Sequence, residues 1–474
     1  MKYQNDIDKM NTNRNLFLMS LPIFVELLLQ LLVGNVDQMM VSRVSQPSVA
    51  AIVNANQIMN LVIIVLSMAS TAVTVILSQY LGAQDEKNAS RTCMVSLVLI
   101  GGVSLAATIL VFAGHTPLYR AIHVPEEVFD EASLYLLIVG AFILVQGLYL
   151  TFSAMIRAFA MVKEVMIISV IMNVMNIVGN AILINGWFGM PQLGAVGAAI
   201  STDISKLVGL ALMIGMFFKS HRVKMGMSYL RPFPVQILKN LCLLAIPTGV
   251  ESFSYNLSQM MILGIVNSLG TVTRVTKGFV NSFGTLVTVT KGYCTIFANI
   301  DYVYAMAIAT ATQIVLGYLI GARRLNDIQK RVNATLKVAI AACVGMAVLM
   351  CLGGKYIFLI FTDNPEIIAL GRRILVIEIV LEIGRAVNIV MTKCLIAVGD
   401  VLTPTTVGIT FQWVVAAAGS WLLGSKLGWG LEGVWIAMAA DECVRGLIYA
   451  VHFKKERWKK NFKGVKTEAE LGEA

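Results

Sequence analysis

Residues 92–114 read TCMVSLVLIGGVSLAATILVFAG, 23 consecutive positions between Arg91 and His115 without a charge. About 20 predominantly apolar residues are enough for a helix to cross the hydrocarbon core of a bilayer. Outward from this stretch, similar runs place spans at 16–42, 51–81, 131–156, 163–185 and 193–218 on the N-terminal side and within the first half. A second set lies at 236–266, 293–320, 334–353, 364–395, 403–423 and 431–452. The composition agrees: 57% of the 474 residues are hydrophobic and 14% are charged, where a soluble domain carries about 25% charged residues. A soluble multidomain enzyme is excluded. The runs are continuous and do not alternate at period two, which excludes a β-barrel. The chain is an all-α polytopic membrane protein with twelve spans in two sets of six.

Lys and Arg assign the sides. Residues 1–15, the connections 82–91, 157–163 and 321–337, the linker 219–235 with Lys239, Lys393 and the tail after 452 hold 25 of the 37 basic residues. Positive-inside logic puts all of these, and both termini, in the cytoplasm. The domain plan is an N-terminal tail (1–15), an N-lobe (16–218), an inter-lobe linker (219–235), a C-lobe (236–452) and a C-terminal tail (453–474). The net charge of +10 is then topological, with anionic lipid headgroups as its partner and no role in nucleic-acid binding. The first 15 residues, MKYQNDIDKMNTNRN, are polar and precede an apolar run too long for a cleaved signal. The seven cysteines show no CxxC or metal-like spacing and read as small packing residues. None of the four histidines falls mid-span.

The halves repeat each other. LPIFVE (Leu21 to Glu26) matches IPTGVE (Ile246 to Glu251), and the QMM of Gln38 to Met40 recurs at Gln259 to Met261. YLGA (Tyr80 to Ala83) returns as YLIGA (Tyr318 to Ala322), and LGAVGAAISTD (Leu193 to Asp203) aligns without a gap to LEGVWIAMAAD (Leu431 to Asp441). Four matches in the same order indicate a duplicated six-helix unit. Six is even, so both copies enter from one side and the expected pseudo-twofold axis runs along the membrane normal. A local repeat is separate from this one. NSLGTVTRVTKGF (Asn267 to Phe279) is followed by NSFGTLVTVTKGY (Asn281 to Tyr293), identical at 8 of 13 positions. Its Thr, Val and Gly content predicts an irregular loop or hairpin-like flap inserted between spans seven and eight.

Charged side chains inside a span cost about 2.5–3.5 kcal/mol each, so they are functional candidates. Asp37 sits deep in span one beside Asn35 and Gln38, with no Lys or Arg near it in sequence. A proton or Na⁺ would neutralise such a carboxylate, which suits ion coupling. Asn173, Asn176 and Asn180 on span five, with Ser201, Thr202 and Asp203 on span six, could surround it with polar groups; interhelical hydrogen bonding alone would explain the same residues. On span ten, Glu378, Glu382 and Arg385 fall on one helical face. Either a structural ion pair or a cation-receiving acid explains that pattern. Asp301 is a further carboxylate inside a span, and Asp441 and Arg445, four apart, read as a structural pair. Glu26 and Glu251 hold equivalent repeat positions and read first as helix-packing residues, with substrate contact as the second reading.

These residues resemble a known family. Pro22, Glu26 and the run Asp37 to Val41, then SQYLGA (Ser78 to Ala83), AMIRAF (Ala154 to Phe159), NIVGNAILI (Asn176 to Ile184), LIAVGD (Leu395 to Asp400) and GVWIAMAADECVRG (Gly433 to Gly446) are similar, in order, to the multidrug and toxic compound extrusion (MATE) transporters. The resemblance covers about residues 15–455. It implies two six-helix lobes across a central cleft and efflux of cationic or amphipathic compounds in exchange for H⁺ or Na⁺. It also implies that Asp37 is the first-helix carboxylate of an N-lobe cation site and that Asn176 is its fifth-helix asparagine. Asn180 stands where some members carry a second aspartate, a departure that leaves Asp203 as the candidate replacement. The sixth-helix hydroxyl maps to Ser201 or Thr202. Glu378 and Glu382 lie on the helix where members keep a C-lobe acid, and the 267–293 duplication is foreign to the pattern.

The expected function is therefore secondary active efflux in a bacterial inner membrane, by a monomer, with no enzymatic activity and no cofactor beyond the coupling H⁺ or Na⁺. The expected cation-coupling residues are Asp37, which could hold Na⁺ itself, with Asn176, Asn180, Thr202 and Asp203. Gln38, Glu26, Glu251, Glu378, Glu382 and Arg385 are the candidates for the substrate cleft. No Walker A sequence is present to couple ATP. The rival reading is a lipid-linked oligosaccharide or peptidoglycan-precursor flippase of the same architecture, which would need a cation-rich cleft for pyrophosphate. The intramembrane charges here are mostly acidic.

Overall fold

The computed structural model describes residues 7–42, 45–121, 126–189, 191–277, 282–456 and 458; inside helices, the side chains of residues 34, 35, 37, 38, 46, 47, 121, 188, 270–277 and 282–285 lie outside that description. The first set of helices is α1 (Asn13–Ser42), α2 (Gln46–Gly82), α3 (Glu86–Ala121), α4 (Glu126–Ala141), α5 (Ile143–Ala158), α6 (Val162–Asn185) and α7 (Gly194–Ser220). The second is α8 (Val235–Lys277), α9 (Ser282–Gly321), α10 (Leu325–Leu359), α11 (Pro365–Ala397), α12 (Leu402–Phe411) and α13 (Gly430–Lys454). Helices α4 and α5 bend by 44° at Phe142 and together make one span. Helix α12 continues through two π-helical stretches, Gln412–Ala417 and Ser420–Lys426. Counted this way, each set supplies six spans.

Hydropathy alone recognises eight of these helices as spans, or nine with the bent pair. Helices α8, α11 and α13 fall short: α11 and α13 carry Glu378, Glu382, Arg385, Asp441, Glu442 and Arg445, and α8 carries Glu251 followed by the polar run Ser252, Ser254, Asn256, Ser258 and Gln259. Their lengths of 43, 33 and 25 residues suffice to cross a bilayer. Charge inside these helices is tolerable because most of it is turned into the bundle, where ionisable groups can pair.

The duplication extends to the way helices end. Left-handed residues close equivalent helices in the two sets: Gln84 and Arg323 after the second span, Ala160 and Gly399 after the fourth, Gly186 and Gly428 after the fifth. A left-handed residue just past a helix lets its amide reach back to an orphan carbonyl. Three of these six are not glycine, so at those places the tertiary fold outweighs the local preference against positive φ.

Two compact units emerge. One is Leu21–Gly249; the other combines the described residues of Met1–Ser20 and Val250–Lys466. The described residues 7–20 join the second unit through Arg331, which is 3% exposed. Its guanidinium donates to the Asn11 carbonyl at 3.1 Å and to Asn13 Oδ1 at 2.6 Å, while Arg324 pairs with Asp8 at 2.5 Å. Hydrogen bonds to a charged group contribute about 1.5–3 kcal/mol. Arg331→Met is therefore expected to release this segment, and tryptic cleavage after Lys9 and Arg14 should accelerate several-fold without loss of the folded transmembrane part. Unchanged cleavage would show that the segment is held by its apolar contacts at Ile7 and Leu16 instead.

In the first unit α6 lies along α7, and α2 packs against α3, α4 and α5. In the second, α11 is the hub, packed along α9, α10 and α13. Gly384 allows that closeness: a Cβ there would sit 2.5 Å from the backbone nitrogen of Cys443 on α13.

The local repeat at 267–293 departs from expectation. Helix α8 continues to Lys277 and α9 begins at Ser282, so no hairpin strand forms among the described residues. Both copies extend helices that are already nucleated. Adding a residue to an existing helix is far easier than starting one, and it outweighs the modest strand preference of Thr and Val.

Candidate functional site

In the first unit, the polar residues of α6 and α7 meet. Asn176 donates its amide to Thr202 Oγ1 at 3.1 Å, and Ser201 donates its hydroxyl to the Asn176 carbonyl at 2.9 Å. Asn180, fully buried, lies one turn along and directs its amide at Asn176 Oδ1 at 3.5 Å. Close approach of the helices makes this possible: a Cβ on Gly179 would meet Ser201 Oγ at 2.4 Å, and one on Gly197 would meet the Leu183 carbonyl at 2.6 Å. Asp203 follows immediately and is 1% exposed. Neither of its carboxylate oxygens has a hydrogen-bond partner among the described residues. Asp37 and Gln38 lie on α1, and their side chains lie outside the described residues.

The duplication supplies an internal comparison for Asp203. Its counterpart is Asp441, whose two oxygens are bound by Arg445 at 3.0 and 2.5 Å. In the ungapped alignment Arg445 corresponds to Leu207, so the first copy lacks that guanidinium. Lys206, three residues on, is the cation nearest to Asp203 in sequence; it acts on the carboxylate through space without a hydrogen bond to it. Thr202 corresponds to Ala440 and Gly197 to Trp435. The two copies thus place polarity differently, with hydroxyls in one and ion pairs in the other.

Glu26 is 1% exposed and is paired with Arg157 of α5 at 2.5 Å. The sequence places Arg157 among the charges that fix topology; in the fold it also neutralises a buried carboxylate.

In the second unit, Arg385 donates through one Nη1 to Glu378 at 3.2 Å, to Glu382 and to the Ala298 carbonyl at 3.3 Å. Trp435 Nε1 donates to the other oxygen of Glu378 at 2.5 Å. Arg445 also reaches Glu442 at 3.4 Å, and Asn388 donates to that same carboxylate at 2.5 Å. Glu378, Asp441 and Glu442 therefore have both oxygens engaged. Among the described residues, Glu382 keeps one oxygen without a hydrogen bond and Asp301, 1% exposed on α9, keeps two. Five carboxylates (Asp301, Glu378, Glu382, Asp441 and Glu442) are buried with two guanidinium groups, Arg385 and Arg445.

Glu251 on α8 accepts from Gln412 at 2.7 Å. The π-helical turn at Gln412 explains how that side chain arrives there. A widened turn misaligns carbonyls and shifts the facing side chain; the Gln412 carbonyl is taken instead by Ser258 Oγ at 3.0 Å. Sequence reasoning missed Gln412, Trp435, Asn388 and Arg157. Trp435 alone carried a readable signal, as a tryptophan where the repeat has Gly197. His452 and Asp400, at 2.7 Å, form another pair that spacing did not reveal.

Sequence and structure comparisons agree. The MatE family model matches residues 22–182 and 247–422. The chain is 33% identical over 444 residues to YisQ, an uncharacterized transporter of Bacillus subtilis (strain 168), covering 94% of each chain. It is 23% identical over 454 residues to a probable multidrug resistance protein, NorM, of Thermotoga maritima, covering 94% of this chain and 93% of that one. An outward-facing structure of a multidrug resistance MATE family transporter of the MOP superfamily superposes with a TM-score of 0.83 at 19% identity, covering 94% of this chain and 96% of the other. With the family model matching most of each six-helix set, the chain belongs to the MatE family of membrane transporters.

Proposed function

We propose that this transporter exports cationic or amphipathic small molecules in exchange for H⁺ or Na⁺, working in a bacterial inner membrane with both termini in the cytoplasm. The observation that carries the reading is the charge balance inside the helices. On α9, α11 and α13 of the second unit five buried carboxylates lie with two buried guanidinium groups, and in the first unit Asp203 is buried with no hydrogen-bond partner among the described residues. Uncompensated carboxylates are costly in hydrocarbon surroundings. They are stable there when they hold a proton, a metal cation or a cationic substrate. Cations are therefore the species such a protein would bind and release. A multidrug assignment for NorM relatives supports the cargo class.

Within this reading Asp37, Asn176, Asn180, Thr202 and Asp203 bind the coupling ion. Asp301, Glu382 and Glu251 attract the cargo or a second cation, while Glu378, Arg385, Asp441 and Arg445 hold the second set of helices together. Glu26, paired with Arg157, is assigned a structural part. Moving one charge through 100 mV supplies about 2.3 kcal/mol, and one pH unit about 1.4 kcal/mol, enough to drive export.

The test is uptake of a fluorescent lipophilic cation into proteoliposomes under separately imposed H⁺ and Na⁺ gradients. Uptake driven by one gradient identifies the ion, and Asp37→Asn should abolish it. A folded wild type that responds to neither gradient would reject this function and turn attention to lipid flipping.

A further inference from the structure

The segment leaving α7 turns back over the start of α3. Its backbone is held there: the Lys224 amide donates to Ser90 Oγ at 3.2 Å, and a single helical turn, Met227–Leu230, packs against α3. Between the two lies a cavity of about 680 Å³. Lys87 and Arg91 line it from α3, and Arg222, Lys224 and Arg231 from the linker. Glu86 is the one carboxylate in its wall, and Ser228 and Tyr229 add hydroxyl groups. Arg222, Lys224 and Arg231 are exposed and make no ion pair among the described residues.

Topology explains why basic residues occur on this face, but it does not explain their convergence. The positive-inside rule needs cations near helix ends, and spreading them apart would serve it with less mutual repulsion. Here five cations share one cavity wall with a single acid. The amino end of α3 adds little, because Asp85 already accepts from the Asn88 amide at 3.0 Å. The field in the cavity is that of the side chains. Guanidinium forks with hydroxyl donors beside them match the oxygens of a phosphate group, and basic pockets at helix ends on the cytoplasmic side suit lipid headgroups.

We propose that this cavity is a binding site for a phosphate-bearing anion. The phosphate belongs either to the headgroup of an anionic phospholipid or to a soluble phosphorylated compound. The site is independent of the cargo and of the coupling ion.

Two arms separate the sources. In the first, the full chain is taken from vesicles of phosphatidylcholine and phosphatidylglycerol, and retained lipids are counted by native mass spectrometry. Arg222→Gln/Lys224→Gln/Arg231→Gln should lower phosphatidylglycerol retention roughly tenfold or more. A control, Arg14→Gln/Lys330→Gln/Lys337→Gln, removes three exposed cations from the other unit and should leave retention unchanged. In the second arm, inorganic pyrophosphate is added to protein in phosphatidylcholine nanodiscs at constant ionic strength. A rise in unfolding midpoint that the linker triple variant loses, without lipid retention, assigns the site to a soluble phosphate. Equal lipid loss in both triple variants with no pyrophosphate shift would overturn the proposal, leaving diffuse surface attraction. If the linker triple variant unfolds, Arg231→Gln alone, read in the same two arms, decides between these outcomes.

Discussion

Proteoliposomes carrying Asp203→Asn are expected to lose the cargo accumulation that the coupling gradient drives, while the variant folds normally. The isosteric amide keeps the volume of a side chain that makes no hydrogen bond among the described residues, so little stability is at stake. What it removes is the charge that makes ion binding favourable. If one proton or Na⁺ moves per cargo through this group, a tenfold ion gradient sustains an accumulation of about tenfold, worth about 1.4 kcal/mol. That factor should fall toward one in the variant. The duplication makes the comparison sharp, because Asp441 holds the equivalent position with Arg445 bound to both oxygens. Asp441→Asn should act differently: it leaves a guanidinium that is 4% exposed with only its 3.4 Å contact to Glu442 and should lower stability first. Full gradient-driven accumulation by a folded Asp203→Asn protein would remove Asp203 from coupling and leave Asp37, Asp301 or Glu382 as the carriers.

The largest stability effect is expected for Arg385→Met. This guanidinium is the shared partner of Glu378 and Glu382 at the hub helix α11. Breaking a buried pair from one side leaves uncompensated charge and costs about 3–5 kcal/mol. The unfolding midpoint in detergent should drop accordingly, with earlier thiol labelling of the fully buried Cys394. Adding Glu382→Gln should recover a large part of the loss, since Glu382 depends on Arg385 while Glu378 retains Trp435. Without such recovery, Arg385 would be stabilising through its Ala298 contact and its packing rather than through the carboxylates.

Several site features were open to reading from the chain. Asn176, Asn180 and Thr202 fall on facing stretches of α6 and α7 because helical spacing and adjacency in sequence bring them there. The Asp441–Arg445 pair follows from an i, i+4 interval. The long-range partners did not follow from any interval: Glu26 with Arg157, Glu251 with Gln412, Glu378 with Trp435 and Glu442 with Asn388. Each joins side chains between 54 and 161 residues apart, and helical periodicity carries no information about which faces will meet.

By itself the sequence determined the solvent, the number of spans and the doubled architecture. Long apolar runs leave no option but helices in lipid, and ordered matches between halves require a duplicated unit. Composition suggests a flap for the local repeat at 267–293, yet its described residues are helical, since composition reports preference but not the helices on either side that extend into it. Only the tertiary structure decided which buried charges are satisfied. Identical aspartates at equivalent positions became, in one unit, an ion-paired strut and, in the other, a carboxylate without a hydrogen-bond partner among the described residues. The physical reason is that a charge in low dielectric is governed by the few groups within hydrogen-bonding reach. Which groups those are is fixed by how the helices pack.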